Sequence, residues 1–304
     1  MKRLLTYIFL LLFAGAFAQQ EPMYTHYMEN TLSVNPAYAG SRNALTVTLL
    51  HRSQWIGFDG APVTQTITVH TPMFSDKIGL GFSFVNDRIG TVSNGSLYFD
   101  FAYRIKFKNS YLAFGVNAGL NRYLLDFTDG YIADENDPLA QNYQSEFMPN
   151  FGTGVYYYSS KYYVGLSIPR ILTVNLFENT IEQNLLTKAQ HYYLIAGGTV
   201  DLNRKIKFFP TTLVKYTSGS MPEVDLTASF VYANRLRTGV MYRSSNAFGV
   251  LAGVYLLENL SISYSFDWST ANATGVYNAG SHEIMLRYDL YMRKRGAVVS
   301  PRLF

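Results

Sequence analysis

The chain has 304 residues, of which 15% are charged, 25 are Tyr, 21 are Phe and none is Cys. The lack of cysteine excludes a disulfide framework and a thiolate metal site. The formal net charge is +4, and two of these charges are Lys2 and Arg3 of an expected leader, so the sequence gives no electrostatic case for binding nucleic acid.

The first 18 residues have the pattern of a secretory signal peptide. Lys2 and Arg3 precede a short apolar run over residues 4–13, and Ala16-Phe17-Ala18 has the small-x-small cleavage pattern, which would leave Gln19 as the new N-terminus. The apolar run is too short to span a bilayer as a helix, and no later segment approaches that length. A membrane location would therefore require a closed β-barrel, because only helices and closed barrels satisfy their backbones in lipid.

From about residue 44 onward, apolar residues alternate with polar ones, which is typical of strands with one greasy face. The clearest stretch is Leu260-Ser-Ile-Ser-Tyr-Ser-Phe-Asp-Trp268. The pattern predicts fourteen strands, at residues 44–54, 64–71, 78–88, 95–107, 111–126, 151–158, 162–168, 191–202, 207–216, 223–232, 235–243, 248–256, 260–268 and 282–290. The strands that begin at residues 191 and 207 alternate poorly and are predicted mainly from their length and flanks.

The connections between these strands are short after strands 4, 6, 8, 10 and 12 and long after strands 5, 7 and 13. Outer-membrane barrels have short periplasmic turns and long outer loops, whereas a soluble β-sandwich gives no reason for this alternation. The sequence thus predicts an all-β protein, an antiparallel transmembrane outer-membrane barrel of about 14 strands. Its expected parts are a signal peptide (1–18), a periplasmic lead-in (19–43), the barrel (44–290) and a short basic periplasmic tail (291–304), with both ends of the mature chain in the periplasm.

Two motifs near the N-terminus have open interpretations. Residues 54–62, which include Gln54, Trp55 and Asp59, read either as a rigid aromatic turn at the membrane interface or as a partner-binding rim. Residues 35–40 contain Asn35, Pro36, Tyr38 and Gly40, and their proline and small residues rule out a regular helix. This stretch could enter the lower barrel mouth and contact the lumen, or it could simply lead into the first strand.

Charged side chains on the polar strand faces are expected to line the lumen, because charge facing lipid is costly. They should mostly pair with one another. These residues are Arg52, Arg104, Arg237, Arg243, Arg287, Asp100, Asp225, Asp267 and Asp289.

Nothing in the sequence has the spacing of a metal site or a catalytic site. The five histidines lack metal-ligand spacing, the carboxylates around residues 126–137 lack the calcium-loop pattern, and no Ser lies in a Gly-x-Ser-x-Gly context. We therefore expect no metal, no cofactor and no enzymatic activity. Recognition is instead expected on the long loops, 127–150 and 169–190, where Tyr131, Tyr143 and Phe177 could serve as aromatic anchors. The other candidates for partner binding are Asn35, Pro36, Tyr38, Gly40, Arg52, Gln54, Trp55 and Asp59.

Several stretches together resemble a known family. They are His26-Tyr27, Asn-Pro-Ala-Tyr-Ala-Gly-Ser at residues 35–41, Arg-Ser-Gln-Trp-Ile-Gly-Phe-Asp-Gly-Ala-Pro at residues 52–62, Tyr-Val-Gly-Leu-Ser-Ile-Pro at residues 163–169 and Ser-Pro-Arg-Leu-Phe at residues 300–304. The chain resembles the PorP/SprF family of the Bacteroidetes type IX secretion and gliding machinery over the whole mature length.

The resemblance implies a bacterial outer-membrane barrel that supports type IX export after Sec-type export of the chain itself. It implies as partners a secreted surface protein or adhesin, which the barrel would anchor or help to deliver, and other components of the machinery. The alternative from the residues is a passive channel or small-molecule transporter, suggested by the polar lumen. An open bore would favour transport, and a blocked lumen would favour anchoring.

Overall fold

The computed structural model describes residues 22–73, 77–126, 143–172, 190–245, 247–270 and 279–291. Within them, alternating side chains build fourteen long strands. They are β1 (Leu45–Ser53), β2 (Val63–Met73), β3 (Ile78–Ile89), β4 (Val92–Lys106), β5 (Ser110–Leu125), β6 (Met148–Ser159), β7 (Tyr162–Ile168), β8 (His191–Gly198), β9 (Ile206–Thr217), β10 (Glu223–Tyr232), β11 (Leu236–Arg243), β12 (Ala247–Leu257), β13 (Leu260–Ser269) and β14 (Ser281–Leu290).

The strands close into one antiparallel barrel. Each strand pairs with the next along the chain, and β14 pairs with β1 from Leu45 opposite Leu290 to Ser53 opposite His282. Two two-residue strands, Tyr143–Gln144 and Val200–Asp201, extend the edges beside β5 and β9. Closure leaves no unpaired edge, which is the condition for a sheet to cross lipid. The predicted all-β, fourteen-stranded barrel is confirmed.

The predicted strand positions agree closely with the structure, including the two that alternate poorly. The one clear difference is the strand predicted at residues 191–202, which pauses after Gly198. There the Thr199 amide still donates to the carbonyl of Lys161, in register with the β7–β8 pairing. The pairing with β9 is interrupted opposite Pro210, which has no amide hydrogen to donate, and it resumes at Val200–Asp201.

The two faces of the barrel differ as the alternation predicts. On the outside, Phe99 is 61% exposed and Val240 is 58% exposed, whereas Ser229 on the inside is 0% exposed. An apolar outer band around a polar interior is the arrangement that a barrel needs in a bilayer. Among the described residues, no helix has the length and apolar character needed to cross a membrane.

The two ends of the barrel carry different connections. One end, the short-turn end, has the connections 74–77, 107–109, 160–161, 199–205, 233–235 and 258–259; the other, the long-loop end, has 54–62, 90–91, 126–147, 169–190, 218–222, 244–246 and 270–280. The β10–β11 turn shows the local chemistry, since Ala233 and Asn234 both have positive φ. Two consecutive residues of positive φ form the tight turn that matches the twist of a hairpin.

Candidate functional site: the lumen and its N-terminal segment

The barrel lumen is filled by the protein's own N-terminal chain. Residues 22–44, here called the lumen segment, include two short 3-10 turns, Thr31–Ser33 and Pro36–Tyr38, and nearly all of their side chains are buried. The two interpretations of residues 35–40 are thereby separated, because this stretch lies inside the barrel. For the described residues 22–43, a position inside the lumen replaces the expected periplasmic lead-in.

The lumen segment runs the length of the barrel. At the long-loop end, the Tyr24 carbonyl accepts from Arg243 at the top of β11, and the Thr25 amide donates to Glu283 at the top of β14. At the short-turn end, Arg42 pairs with Asp289 near the end of β14, where the chain enters β1. The expectation that both ends of the mature chain lie at the short-turn end does not fit this path, because residues 22–24 lie at the long-loop end.

One wall of the lumen holds the segment by charge. Glu29 of the segment accepts from Arg237 on β11 at 2.6 Å and from Arg287 on β14 at 3.3 Å. His26 Nδ1 lies 2.6 Å from the Glu283 carboxylate, which also accepts from the His26 backbone amide. All of these side chains are at least nine-tenths buried, so the segment supplies the countercharge that the arginines of the wall need.

Further ion pairs tie the wall together. Arg52 reaches Asp267 at 2.8 Å and Glu283 at 3.3 Å, and Arg243 holds Asp225 with two of its nitrogens. The expected pairing of lumen charges is confirmed for these residues. Asp100 and Arg104 are exceptions: both are buried, and among the described residues neither forms a salt bridge.

The opposite wall holds the segment by close backbone approach. Gly79 on β3, Gly115 on β5 and Gly154 on β6 face the segment, and a Cβ at any of them would overlap Ala39, Ala37 or Asn35. Glycine is used where backbones approach this closely. The small residues of the 35–40 motif therefore meet small residues of the wall.

Polar and aromatic side chains fix the segment on this wall. The Asn35 side chain accepts from the Ala37 amide and donates to the Val155 carbonyl on β6. The Tyr38 ring packs edge-on against Tyr156 and His70 at 5.4 and 5.2 Å between centroids. Arg104 on β4 donates to the carbonyl of Gly40.

The predicted partner-binding residues fall into groups. Asn35, Pro36, Tyr38 and Gly40 lie together against the glycine wall, whereas Arg52 lies apart from them in the ion pairs of the other wall. Another group lies at the long-loop end, where Gln54 and Trp55 are half-buried and Asp59 is exposed. The backbone of Tyr143 pairs with Leu125, whereas Tyr131 and Phe177 lie outside the described residues.

The loop at residues 54–62 is tied to its neighbours. The Ile56 amide donates to the Gly280 carbonyl and its carbonyl accepts from Ala279, so the first loop is paired with the last connection of the barrel. Trp55 has a φ of 46°, a left-handed conformation rare for a large side chain. These contacts support the interpretation as a rigid turn; the role as a partner-binding rim stays a prediction.

The comparisons with known proteins agree with this architecture. The sequence pattern of the family described as type IX secretion system membrane protein PorP/SprF matches residues 16–288. The chain belongs to this family. It is therefore an outer-membrane β-barrel related to type IX secretion. No curated protein matches the chain.

This PorP/SprF-family chain is similar to several solved outer-membrane proteins. They include Omp33 of Acinetobacter baumannii (6% identity, TM-score 0.48, covering 82% of this chain and all of that one), outer membrane phospholipase A from Escherichia coli (10%, 0.41, 85% and all) and KdgM porin (8%, 0.38, 80% and 98%).

The PorP/SprF motifs map onto the two groups just described. The 35–41 motif forms the part of the lumen segment that packs on the glycine wall, and the 52–62 motif joins the lumen network to the first loop. Sequence reasoning missed Glu29 and His26 as wall contacts, although His26 lies in a family motif. No local pattern in the sequence connects Glu29 or His26 to the strands that they contact.

The described residues contain no group of three or more His, Cys, Asp or Glu side chains arranged to hold a metal ion. Five of the lumen carboxylates are instead engaged by arginines or by His26; they are Glu29, Asp225, Asp267, Glu283 and Asp289.

Proposed function

We propose that this protein is a plugged, non-enzymatic outer-membrane barrel that anchors a type IX secreted surface protein, or helps to deliver it, at the cell surface. The observation that carries the proposal is the filled lumen. A segment tied by buried ion pairs on one wall and by backbone contact on the other blocks the path that a solute would take.

The filled lumen argues against the alternative of a passive channel or small-molecule transporter. Porins keep a water-filled bore. Here side chains of the lumen segment reach across to β2, β10 and β13, among other strands. A barrel whose lumen is filled by its own chain suits a protein that anchors or presents another protein rather than one that transports solutes.

A non-enzymatic role also agrees with the environment of His26. Its ring is 1% exposed, with Nδ1 committed to Glu283, so it is walled off from any substrate. A general base must come within hydrogen-bond reach of the group it deprotonates.

The docking surface for the secreted partner is proposed at the long-loop end. The first loop there presents exposed side chains, including Phe58 at 55% and Asp59, on a backbone fixed by its pairing with residues 279–280. Loops on rigid scaffolds commonly carry recognition, and buried aromatic anchors dominate interface energies. Trp55, Tyr131, Tyr143 and Phe177 are the proposed anchors, and the periplasmic machinery would be met at the short-turn end.

The experiment is an affinity purification in mild detergent from the native cells, followed by identification of large co-purifying surface proteins. Variants that shorten the 127–142 or the 173–189 connection should insert normally, because loop-length changes cost little. We expect both variants to lose the partner. A control variant that shortens the 199–205 connection at the short-turn end should retain the partner. Full retention of the partner by both long-loop variants would contradict the proposed surface.

A conductance measurement separates anchoring from transport. The wild-type barrel in a planar bilayer should show no steady ion conductance, and a variant lacking residues 22–40 should open a pore. Steady conductance by the intact wild-type barrel would favour the channel.

A further inference from the structure

The lumen segment has a direction, and its two ends are held differently. At the short-turn end it is continuous with β1 through Asn43 and is locked by the Arg42–Asp289 pair and by Arg104. At the other end, Pro22 and Met23 are only partly buried.

The position of residues 22 and 23 is set by their neighbours. Tyr24 donates to or accepts from Thr66, three residues from the upper end of β2, and its carbonyl accepts from Arg243 at the last position of β11. Pro22 and Met23 line a small cavity with Tyr193, Lys215 and Glu223, which all lie at the ends of β8, β9 and β10 nearest the long loops.

Long loops face outward in outer-membrane barrels and short turns face the periplasm. We propose that the lumen segment threads the barrel from the periplasmic base to the cell-surface mouth, so that Pro22 and Met23 are displayed on the outside of the cell. The start of the segment, and not only the loops, then belongs to the surface that a large external molecule meets.

The threading has a mechanical consequence. The segment is continuous with β1 at the base, so it leaves the lumen only by moving along the bore. To do so it must break the Glu29 and His26 ion pairs on the way. A molecule bound to residues 22 and 23 at the mouth would hold the plug in place.

The test uses the absence of cysteine in the native chain. Single variants Pro22→Cys and Met23→Cys are made in the full-length protein and treated on intact cells with a membrane-impermeant maleimide. Asp59→Cys in the first outer loop is the surface control, and Lys108→Cys in the β4–β5 turn is the periplasmic control; both positions are exposed. A thiol must be accessible and ionised to react, so labelling reports position.

We expect Pro22→Cys, Met23→Cys and Asp59→Cys to be labelled on intact cells. Lys108→Cys should remain unlabelled on intact cells. Lys108→Cys should then react after the outer membrane is permeabilised. Labelling of residues 22 and 23 only after permeabilisation would overturn the proposed direction. Labelling of both only after denaturation would equally overturn it, because the segment end would then be enclosed.

This result is independent of the identity of the partner. Loss of the partner from long-loop variants with normal labelling at residue 23 would leave both proposals standing. Failure of labelling with a correctly retained partner would remove only the threading.

Discussion

The charge on Glu29 is the most sensitive single point of the lumen. Glu29 Oε1 accepts from Arg237 at 2.6 Å and from Arg287 at 3.3 Å, and all three side chains are at least nine-tenths buried. The change Glu29→Gln keeps the shape and one acceptor oxygen but removes the negative charge. Arg287 retains Asp289 at 3.5 Å, whereas the structure gives Arg237 no second carboxylate among the described residues.

The magnitude follows from leaving one buried arginine without a countercharge. Removing one partner of a buried pair costs about 3–5 kcal/mol. Because the glutamine still accepts a hydrogen bond and Arg287 keeps Asp289, we expect the lower end, about 3 kcal/mol. That corresponds to about a hundredfold shift from the plugged, folded barrel toward the unfolded or unplugged forms.

The assay is a denaturant titration of the barrel reconstituted in lipid, with the free energy of unfolding as the measured quantity. Glu258→Gln, an exposed position in the β12–β13 turn, is the matched control and should stay within about 0.5 kcal/mol of wild type. A double-mutant cycle with Arg237→Gln should return a favourable coupling energy between the two sites. If Glu29→Gln unfolds like Glu258→Gln, the ion pairs do not hold the segment and the reasoning is refuted.

Two further changes test the outer face and the glycine wall. Phe230→Arg places a cation on a lipid-facing position of β10 and should destabilise the inserted barrel by about 2–4 kcal/mol in a vesicle folding assay, whereas Phe230→Leu should insert normally; equal insertion of both would contradict the lipid-facing assignment. Gly115→Val would drive side-chain atoms into Ala37 and should loosen the lumen segment, seen as new protease sensitivity of residues 22–43 and as ion conductance. Gly95→Ala, which has open space at its Cβ, is the control, and an unchanged Gly115→Val barrel would show that the segment does not pack there.

The barrel could be predicted from the sequence because its physics is local. The alternation of apolar and polar residues within each strand shows which face meets lipid. In Leu260–Ser269, for example, Ile262 and Trp268 are exposed, whereas Ser261, Ser263 and Ser265 are buried. The lengths of the connections then distinguish the short-turn end of the barrel from its long-loop end. The interruption within the strand predicted at residues 191–202 shows the limit, since it depends on Pro210 of the next strand, which interrupts the pairing beside Gly198 and Thr199.

The position of the lumen segment could not be read in the same way. Residues 35–40 show by their proline and small side chains that they form no regular element, but the glycines that receive them lie on β3, β5 and β6. In the sequence, nothing distinguishes those glycines from other strand positions. Only in the closed barrel do they lie on one wall and face the segment. Likewise, Glu29 lies 208 residues from Arg237, and no local pattern connects them.

The two walls of the lumen specify the register of the lumen segment in different ways. Buried ion pairs often add little net stability, because desolvation offsets their attraction, but a mispaired one is costly. The pairs of Glu29, His26 and Arg42 with β11 and β14 therefore act chiefly to specify register: a shift of the segment by one residue would leave both Glu29 and Arg237 without countercharge. The glycine wall adds close packing only when the small residues of 35–40 lie opposite it, so it accepts the same register that the charges select. A segment whose register is set twice, from opposite sides, behaves as a part of the barrel rather than as a mobile gate. Because the segment fills the lumen, we expect binding partners to contact the barrel at its two ends rather than inside it.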